Sequence, residues 1–447
     1  EATDMDMGQI ETLIADHGIR TVIVAGTDPG GVLRGKRLTV PYFRKAAEGG
    51  VGFASYILGT TTMDEVLPGL FDTGIPDVHA RVDLSTFRLA PWEKDCAIAL
   101  LDWATPEGEP HPLCPRGALK SRIALADRLG YKAHASLELE FYILPLPITE
   151  VRQGRWSDLP LPSKDIHCYS ILEGHFGEPI VGKLRDCFPD EIEACLPEWG
   201  QGQFEVNLYR ADPLAMADTA VMMKLAVKQI AAEAGATATF IAKLREDMSG
   251  SSGHIHLSLR DKVTGQSAFY DPADPLKLSA TFRQFVAGNL AMFHESALFY
   301  APNVNSYKRM QSGSFAGTTR CWGVDNRTAG YRAINESAGK CRLEVRIGGA
   351  DLNPYLGIAT ALGAGLRGIE LALEPPEPGR GNNYEQSAET VPVDLAAAVA
   401  AVERSTAIRE ILPPALVDNA LRIARFEIGV FRGTVTDLER RRYMETV

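Results

Sequence analysis

The sequence predicts an α+β protein of two domains, in which strands and helices alternate along most of the chain. Short segments such as residues 138–140 alternate polar and apolar side chains with the period of two that strands have. Longer segments such as residues 211–235 are rich in alanine and contain few helix breakers. The proline- and glycine-rich stretch 105–115 predicts a boundary between a domain of residues 1–107 and a domain of residues 108–447.

The first elements are predicted to form a hairpin. A β-branched run at 21–25 and a second run near 32–40 flank Asp28-Pro29-Gly30-Gly31, which is typical of a turn. Residues 30–37 imitate a phosphate-binding loop, but Arg37 stands where that loop needs a hydroxyl group for Mg²⁺. We therefore interpret this region as two strands and a turn, and not as a nucleotide site.

The remaining segments predict alternating helices and strands, which follow one another without an internal repeat. In chain order they are a helix at 116–129, a strand at 133–144, a helix at 211–235, a buried strand at 237–243, a Gly/Ser loop at 249–253, a helix at 352–373, a proline-rich break at 374–381 and a helical C-terminal region.

The composition is that of a globular protein, with 447 residues of which 45% are hydrophobic and 23% charged. A net charge of −11 without a Lys/Arg block argues against a general nucleic-acid binder. Seven cysteines without a Cys-x-x-Cys pair favour a reducing compartment. Residues 1–9 lack a signal-peptide pattern, and no apolar run approaches the roughly 20 residues that span a bilayer. We therefore expect a cytoplasmic protein that binds neither nucleic acid nor membrane.

Four strand-like segments carry side chains that are typical of catalytic sites. Residues i and i+2 of a strand point the same way, so each segment presents carboxylates, imidazoles or guanidinium groups on one face. One such segment alone is more often a solvated face, but four together predict a cavity for ATP and metal ions. The segments are Glu138-Leu139-Glu140, Glu198 with Glu205-Val206-Asn207, His254-Ile255-His256, and Arg342-Leu343-Glu344-Val345-Arg346.

The order of these and other motifs resembles the glutamine synthetase superfamily of the bacterial type I, over about residues 20–445. The motifs are Asp28-x-x-Gly31-x-x-Arg34-Gly35-Lys36, Glu138-x-Glu140, Glu198 with Glu205, Gly253-His254-Ile255-His256, Asn305-Ser306-Tyr307-Lys308-Arg309, Asn326-Arg327 and Arg342-x-Glu344-x-Arg346. The resemblance implies an N-terminal β-grasp domain and a C-terminal catalytic α/β domain with a curved antiparallel sheet. It also implies a dodecamer of two stacked hexameric rings, in which a neighbour's N-terminal domain completes each active site.

The resemblance further implies ATP as a substrate and two or three Mg²⁺ or Mn²⁺ ions. Carboxylate oxygens with an imidazole suit these cations when they bridge nucleotide phosphates. One cation would be bound by Glu140, Glu198 and Glu205, and a second by Glu138, His254 and Glu344.

The remaining site residues are also carried over from the resemblance, and fixed guanidinium groups suit both phosphates and carboxylates. Arg327, Arg332 and Arg342 would meet the ATP phosphates, and His256 and Ser258 would lie near the nucleotide. Arg309, Arg346, His254 and Gly250 would bind the amino-acid substrate, and Ser249 stands where an asparagine is common. The residues expected at the reacting groups are Arg327, Glu344 and Arg346.

The chain departs from glutamine synthetases where ammonium binds. Phe315 occupies the position of a flap glutamate, and the stretch around Leu58 has no acid where the N-terminal domain carries an aspartate. Losing two carboxylates removes charge that stabilises a small cation and leaves apolar surface. We therefore expect Leu58 and Phe315 to line a site for an organic amine.

The predicted activity is that of an ATP-dependent ligase, which joins the γ-carboxyl of L-glutamate to an organic primary amine through γ-glutamyl phosphate. The amine stays open among alkylamines, arylamines, ethanolamine and polyamines. One alternative is a glutamine synthetase that uses ammonia, with Asp64 or Glu65 as displaced acids. A second is a non-catalytic structural or regulatory member, and a third is a ligase for a glutamate analogue.

Overall fold

The computed structural model describes residues 5–156, 158–311, 313–386 and 389–447, so the first four residues of the N-terminal segment discussed above lie outside it. The strands are β1 Thr21–Thr27, β2 Leu33–Thr39, β3 Val51–Ala54, β4 Asp77–Leu89, β5 Cys96–Ala104, β6 Tyr131–Leu144, β7 Ile192–Pro197, β8 Gln203–Leu208, β9 Thr237–Thr239, β10 Gly253–Asp261, β11 Trp322–Val324, β12 Tyr331–Ile334 and β13 Arg342–Val345. The helices are α1 Met7–Asp16, α2 Val40–Gly49, α3 Pro115–Arg128, α4 Ile148–Arg152, α5 Ile171–Cys187, α6 Pro213–Glu233, α7 Ala280–Ala291, α8 Phe293–Tyr300, α9 Ser306–Arg309, α10 Pro354–Glu370, α11 Asn383–Gln386, α12 Leu395–Arg404, α13 Ile408–Ile411, α14 Pro414–Gly433 and α15 Asp437–Tyr443.

The first five strands form one mixed sheet in the order β2-β1-β5-β4-β3, with α2 packed against it. Strands β1 and β5 are parallel, and the other neighbours are antiparallel. The predicted hairpin of β1 and β2 is confirmed. Its turn is closed by the backbone N–H of Val32, which donates to the Asp28 carboxylate at 3.0 Å. Gly31 has a φ of 82°, a conformation that glycine adopts without steric cost.

The second sheet has the order β11-β12-β13-β10-β6-β8-β7, with β9 pairing to β6. Its neighbouring strands are antiparallel except for β11 and β12. Helices α3, α6, α7 and α10 pack together beside it, and their apolar residues share one large core with the sheet. The α+β class with a curved, largely antiparallel second sheet is thus confirmed. The long helices expected at 211–235 and 352–373 correspond to α6 and α10.

The strand expected at 237–243 is too long, because β9 ends at Thr239. After Thr239, the hydrogen bonds of the Lys243 backbone are made to a side chain and not to a neighbouring strand. The N–H of Lys243 donates to the Asn305 side-chain oxygen at 2.9 Å, and its carbonyl accepts from the Asn305 amide nitrogen at 2.9 Å. Buried backbone groups need a partner, and an asparagine side chain supplies both bonds here.

The two sheets use separate parts of the chain, residues 21–104 and 131–345. The predicted boundary between residues 107 and 108 falls in the connection between them, and the division into two domains stays a prediction. Within the described ranges, no helix combines the length and apolar composition that crossing a bilayer requires.

A buried arginine joins the two sheets. Arg116 of α3 is 3% exposed, and its guanidinium contacts Asp83 of β4, Asp102 of β5 and Asp218 of α6 at 2.9 Å each. The Tyr355 hydroxyl donates to the same Asp218 carboxylate at 2.5 Å. Burial opposes the charge on Arg116, but the Asp218 and Asp102 carboxylates raise its pKa above the ordinary value. The guanidinium is therefore permanently charged.

We predict that Arg116→Met lowers the free energy of unfolding by about 3–5 kcal/mol, because it leaves Asp218 as a buried charge without its partner. Chemical denaturation at equal protein concentration measures the change. Arg425→Met is the matched control, since Arg425 pairs with Glu403 on an exposed surface and such pairs contribute at most about 1 kcal/mol. Equal midpoints for the two variants would contradict the prediction.

Candidate active site

The antiparallel register places the predicted site residues opposite one another on adjacent strands. Residues that face each other across an antiparallel pair have side chains on the same face of the sheet, close enough to interact. A row of polar side chains therefore crosses the sheet from β12 to β8. The facing pairs are Arg332 with Glu344, His256 with Glu344, His254 with Glu138, Asn207 with Glu138, and Glu205 with Glu140.

Three carboxylates meet at one end of this row. Glu140, Glu198 and Glu205 each offer an oxygen atom, and these atoms lie within 4.8 Å of one another. Glu198 reaches the group from the turn after β7, where its backbone N–H donates to the Gln203 carbonyl at 2.9 Å. Neutral groups hold two of the carboxylates in place: the Ser252 N–H donates to Glu140 at 2.7 Å and the Asn207 amide to Glu205 at 2.9 Å.

These carboxylates cannot all carry a charge without a counter-ion. Burial raises the pKa of Glu198 to about 7, and the Glu140 carboxylate adds to the effect. Burial also raises the pKa of Glu205 far above the ordinary value, and Glu138 and Glu140 reinforce the shift. Clustered oxygen ligands in this state fit a divalent cation, which would replace the protons and cancel the repulsion.

A second group surrounds His254, which is buried. Its Nδ1 lies 3.3 Å from the Glu138 carboxylate and 3.4 Å from the Glu344 carboxylate. Its Nε2 is buried without a hydrogen-bond partner among the described residues. Burial lowers the pKa of His254, so the ring is neutral and one nitrogen keeps a free lone pair. Glu138, Glu205 and His254 offer ligand atoms within 4.8 Å of one another, which also fits a divalent cation, whereas Glu344 forms such a group with Glu138 and His256.

His256 connects the acids to the arginines. Its Nε2 lies 3.0 Å from Glu138, and its Nδ1 accepts a hydrogen bond from Arg342 at 3.1 Å. The carboxylates of this half of the site stay charged. Burial raises the pKa of Glu344, but His256 and Arg346 outweigh it and lower the value to about 2.

Two of the three predicted phosphate-binding arginines, Arg332 and Arg342, line a cavity of about 880 Å³. Arg332 contacts Glu344 at 2.9 Å and Asp325 at 2.5 Å. Arg342 and Ser258 line the same cavity. Arg327 is exposed in the turn between β11 and β12, where no hydrogen bond of its side chain to a described residue is found. The structure therefore brings Arg332, Arg342 and Ser258 together and leaves Arg327 apart from their contacts.

Three of the residues predicted to bind glutamate, His254, Arg309 and Arg346, are buried. Arg309 is buried, and its guanidinium donates to the Ile347 carbonyl at 2.9 Å. Burial lowers its pKa to about 10, so it remains charged at neutral pH. A Cβ atom on Gly250 would come within 2.5 Å of the Arg309 side chain, so glycine is required there. Arg346 donates to Glu344, and its Nε is buried without a partner among the described residues.

The two residues expected at the amine position are placed differently. Phe315 is 51% exposed, and its carbonyl accepts from Arg346 at 3.2 Å, which puts it at the edge of the site. Leu58 is 1% exposed and packs in the core of the first sheet, and its carbonyl accepts from Asn419 of α14 at 2.8 Å. The structure does not support a contact between the Leu58 side chain and a substrate, because that side chain is needed in the core.

Sequence reasoning missed three supporting residues. Asp325 fixes Arg332 and lies in a turn without any repeating pattern. The Gln203 side chain joins Glu140 at 3.3 Å to the Gly250 carbonyl at 3.0 Å. Trp199, whose ring contacts Phe315, carries no motif of its own. Because Gln203 precedes Glu205 by two residues in an alternating strand, the sequence could have predicted that both side chains point to the same face.

Comparison with known proteins gives consistent matches. Residues 112–443 match the family described as glutamine synthetase, catalytic domain. The glutamate–isopropylamine ligase of Pseudomonas sp. is 38% identical over 98% of both chains. The gamma-glutamylethanolamide synthetase of Streptomyces coelicolor is 34% identical over 98% of this chain and 95% of its own. The ligand-free structure of a protein called GmaS superposes with a TM-score of 0.86 at 27% identity, over 98% of this chain and 99% of that one.

We predict that the metal-free protein loses stability as the pH rises above 4.5, up to about 7 for Glu198 and up to about 9 for Glu205, because over these ranges the carboxyl is protonated in the folded state and ionised in the unfolded state. A carboxyl group whose pKa is raised by folding stabilises the fold only while it is protonated, so the loss grows with pH. Saturating Mg²⁺ should reverse it, with a larger rise in the melting temperature near pH 8.5 than near pH 6. Calorimetry with EDTA or Mg²⁺ at fixed protein concentration measures both curves.

Glu205→Gln should make the metal-free protein more stable at the higher pH and reduce its gain from Mg²⁺, because one of the three crowded carboxylates is gone. Glu377→Gln serves as the control, since Glu377 is exposed and belongs to none of the carboxylate groups. A Mg²⁺ response that is equal at both pH values would contradict the prediction.

Proposed function

The chain belongs to the glutamine synthetase family, and from this premise we propose that it is an ATP-dependent ligase that joins the γ-carboxyl of L-glutamate to an organic primary amine. The product is a γ-glutamylamide, formed through γ-glutamyl phosphate. The matches to a glutamate–isopropylamine ligase and a gamma-glutamylethanolamide synthetase over nearly the whole chain support this activity.

One structural observation supports an organic amine in particular. At Phe315 the edge of the site carries an exposed aromatic ring where ammonium-using members carry a carboxylate. The carbonyl of the same residue is bound by Arg346, so the segment stays close to the charged row. An apolar surface stabilises a carbon substituent, but it has no negative charge that would stabilise a bare ammonium ion.

Divalent cations, two or three Mg²⁺ or Mn²⁺ ions, are proposed to bind Glu140, Glu198 and Glu205 on one side and Glu138, His254 and Glu344 on the other. When bound, they supply positive charge that neutralises the ATP phosphates. The raised pKa values of Glu198 and Glu205 and the unpaired nitrogen of His254 support these ligand sets.

In the first step, the γ-carboxylate of glutamate attacks the γ-phosphoryl group of ATP, and ADP leaves. We propose that Arg309 and Arg346 hold the carboxylates of glutamate, because both are buried cations and Arg346 has an unpaired Nε. Arg332 and Arg342 line the cavity of about 880 Å³, where fixed guanidinium groups would stabilise charge on the phosphates. Arg327 would move toward the transferring group when the nucleotide binds, since its side chain is otherwise exposed.

In the second step, the amine attacks the γ-carbonyl of γ-glutamyl phosphate and phosphate leaves. The attacking nitrogen must lose its proton, because alkylamines have pKa values of about 10 and are charged at neutral pH. Glu344 stays ionised beside Arg346 and His256, so it serves to orient both rather than to accept this proton. His256 and Ser258 are proposed to contact the nucleotide from β10.

The assembly is proposed to be a dodecamer of two hexameric rings, in which the first sheet of one subunit completes the active site of its neighbour. Native mass measurement tests this.

A cytoplasmic location is proposed because all seven cysteines are free in the structure, which is typical of proteins in a reducing compartment.

We predict that phosphate release with ATP, Mg²⁺ and glutamate is fastest with an organic amine. The panel holds ammonium, methylamine, isopropylamine, ethanolamine, putrescine, spermine and aniline, and the quantity compared is kcat/KM. The best organic amine should exceed ammonium by at least about tenfold, the discrimination that a few carbon atoms in an apolar site provide. A clear preference for ammonium would support the alternative of a glutamine synthetase with displaced acids, and absence of turnover with every amine would support a non-catalytic role.

A carboxylate restored at the edge of the site should shift the preference back. We predict that Phe315→Glu raises kcat/KM for ammonium and lowers it for isopropylamine, because the new charge stabilises a small cation and removes apolar surface. Phe315→Gln is the matched control, because glutamine has the size of glutamate but carries no charge. If Phe315→Gln raises ammonium use as much as Phe315→Glu does, the effect is not electrostatic and the interpretation of Phe315 fails.

A further inference from the structure

Two exposed aromatic side chains lie together at the edge of the active site. The rings of Trp199 and Phe315 have centroids 6.2 Å apart and planes inclined by 32°. Both residues are 51% exposed. Scattered exposed apolar residues need no explanation, but contiguous ones at a functional site indicate a binding surface. We refer to these two residues as the aromatic wall.

The aromatic wall is attached to both halves of the charged row through its backbone. The N–H of Trp199 donates to the Glu198 carboxylate at 3.1 Å, within the group of three acids. The carbonyl of Phe315 accepts from Arg346, which also contacts Glu344. These bonds use main-chain atoms only, so both rings are left free for a ligand. A substrate nitrogen that approaches the row between these anchors would therefore carry its substituent against the rings.

The geometry limits what the aromatic wall can bind. With 6.2 Å between centroids there is no room for a group between the rings, so a ligand packs on their joint face. Aromatic faces attract alkylammonium cations and bury alkyl carbons. Ammonium has no carbon to bury against the rings.

We propose that the aromatic wall selects the amine, and that the amine class is the short-chain primary monoalkylamines. Trp199 and Phe315 act as specificity-determining residues, with the alkyl group packed on both rings and the nitrogen directed between Glu198 and Arg346. This inference rests on the proposed ligase activity and adds the substrate class and the role of Trp199.

The experiment measures kcat/KM of the purified full-length protein for isopropylamine, propylamine, methylamine, ammonium and putrescine in the presence of ATP, Mg²⁺ and glutamate. In the wild type, each carbon added from methylamine to propylamine should raise kcat/KM by about fourfold, the value of one buried methylene group. Trp199→Ala should lower kcat/KM for isopropylamine by about tenfold or more and change that for ammonium by less than about twofold. Trp199→Phe should restore most of the loss, because it keeps an aromatic face.

Phe315→Leu is the second variant, since it keeps an apolar side chain and removes only the π face. It should reduce isopropylamine use less than Trp199→Ala does. Tyr42→Ala is the matched control, because Tyr42 is an equally exposed aromatic residue, 51%, on α2. It should leave all the rates unchanged.

The outcomes separate the inference from the proposed function. If the wild type prefers an alkylamine but Trp199→Ala leaves the ratio of isopropylamine to ammonium unchanged, the ligase stands and the inference fails. If putrescine is the best substrate of the wild type, an organic-amine ligase stands and the alkylamine class fails. If no organic amine exceeds ammonium, both are wrong. If Trp199→Ala loses ammonium and isopropylamine turnover equally, the residue is structural and the inference also fails.

Discussion

The repulsion among buried carboxylates is the constraint on which the site depends. Glu138, Glu140, Glu198 and Glu205 lie in two adjoining groups that share Glu205, and burial makes their charges costly. The two halves of the site differ in how the cost of burying these charges is offset. Near Glu344 the charges of Arg332 and Arg346 are built into the protein, so that carboxylate stays ionised. Among the described residues, no lysine or arginine forms an ion pair with Glu198 or Glu205, and a bound divalent ion would complete the balance.

Antiparallel strand pairing fixes which charged side chains face one another. Because β6 lies between β8 and β10, Glu140 faces the acid Glu205 on β8 and Glu138 faces the imidazole of His254 on β10. A shift of one residue in either register would turn these side chains to the helix-covered face. The packing of α6, α7 and α10 behind the sheet holds the register, since the alternate residues of the same strands fill that core.

The two ends of the site differ in how much they can vary. The phosphoryl-transfer end is a connected network, in which changing Arg332, Glu344 or His256 disturbs several neighbours at once. The proposed amine end is bounded by exposed rings whose residues are hydrogen-bonded to this network through backbone atoms. Such an arrangement allows the nucleophile to change while the chemistry of glutamate activation is kept.

The sequence by itself determined which residues share a face of a strand, because the period of two is a local property of the chain. It therefore predicted the polar row at 138–140, 254–256 and 342–346, the hairpin of β1 and β2, and the helices α6 and α10. Tertiary structure alone decided which strands are neighbours, and so that Glu140 faces Glu205 and that Asp325 reaches Arg332. It also buried Leu58, ended β9 at Thr239 and brought Trp199 to Phe315. These are contacts between distant segments, set by packing and strand register, for which local patterns carry no signal.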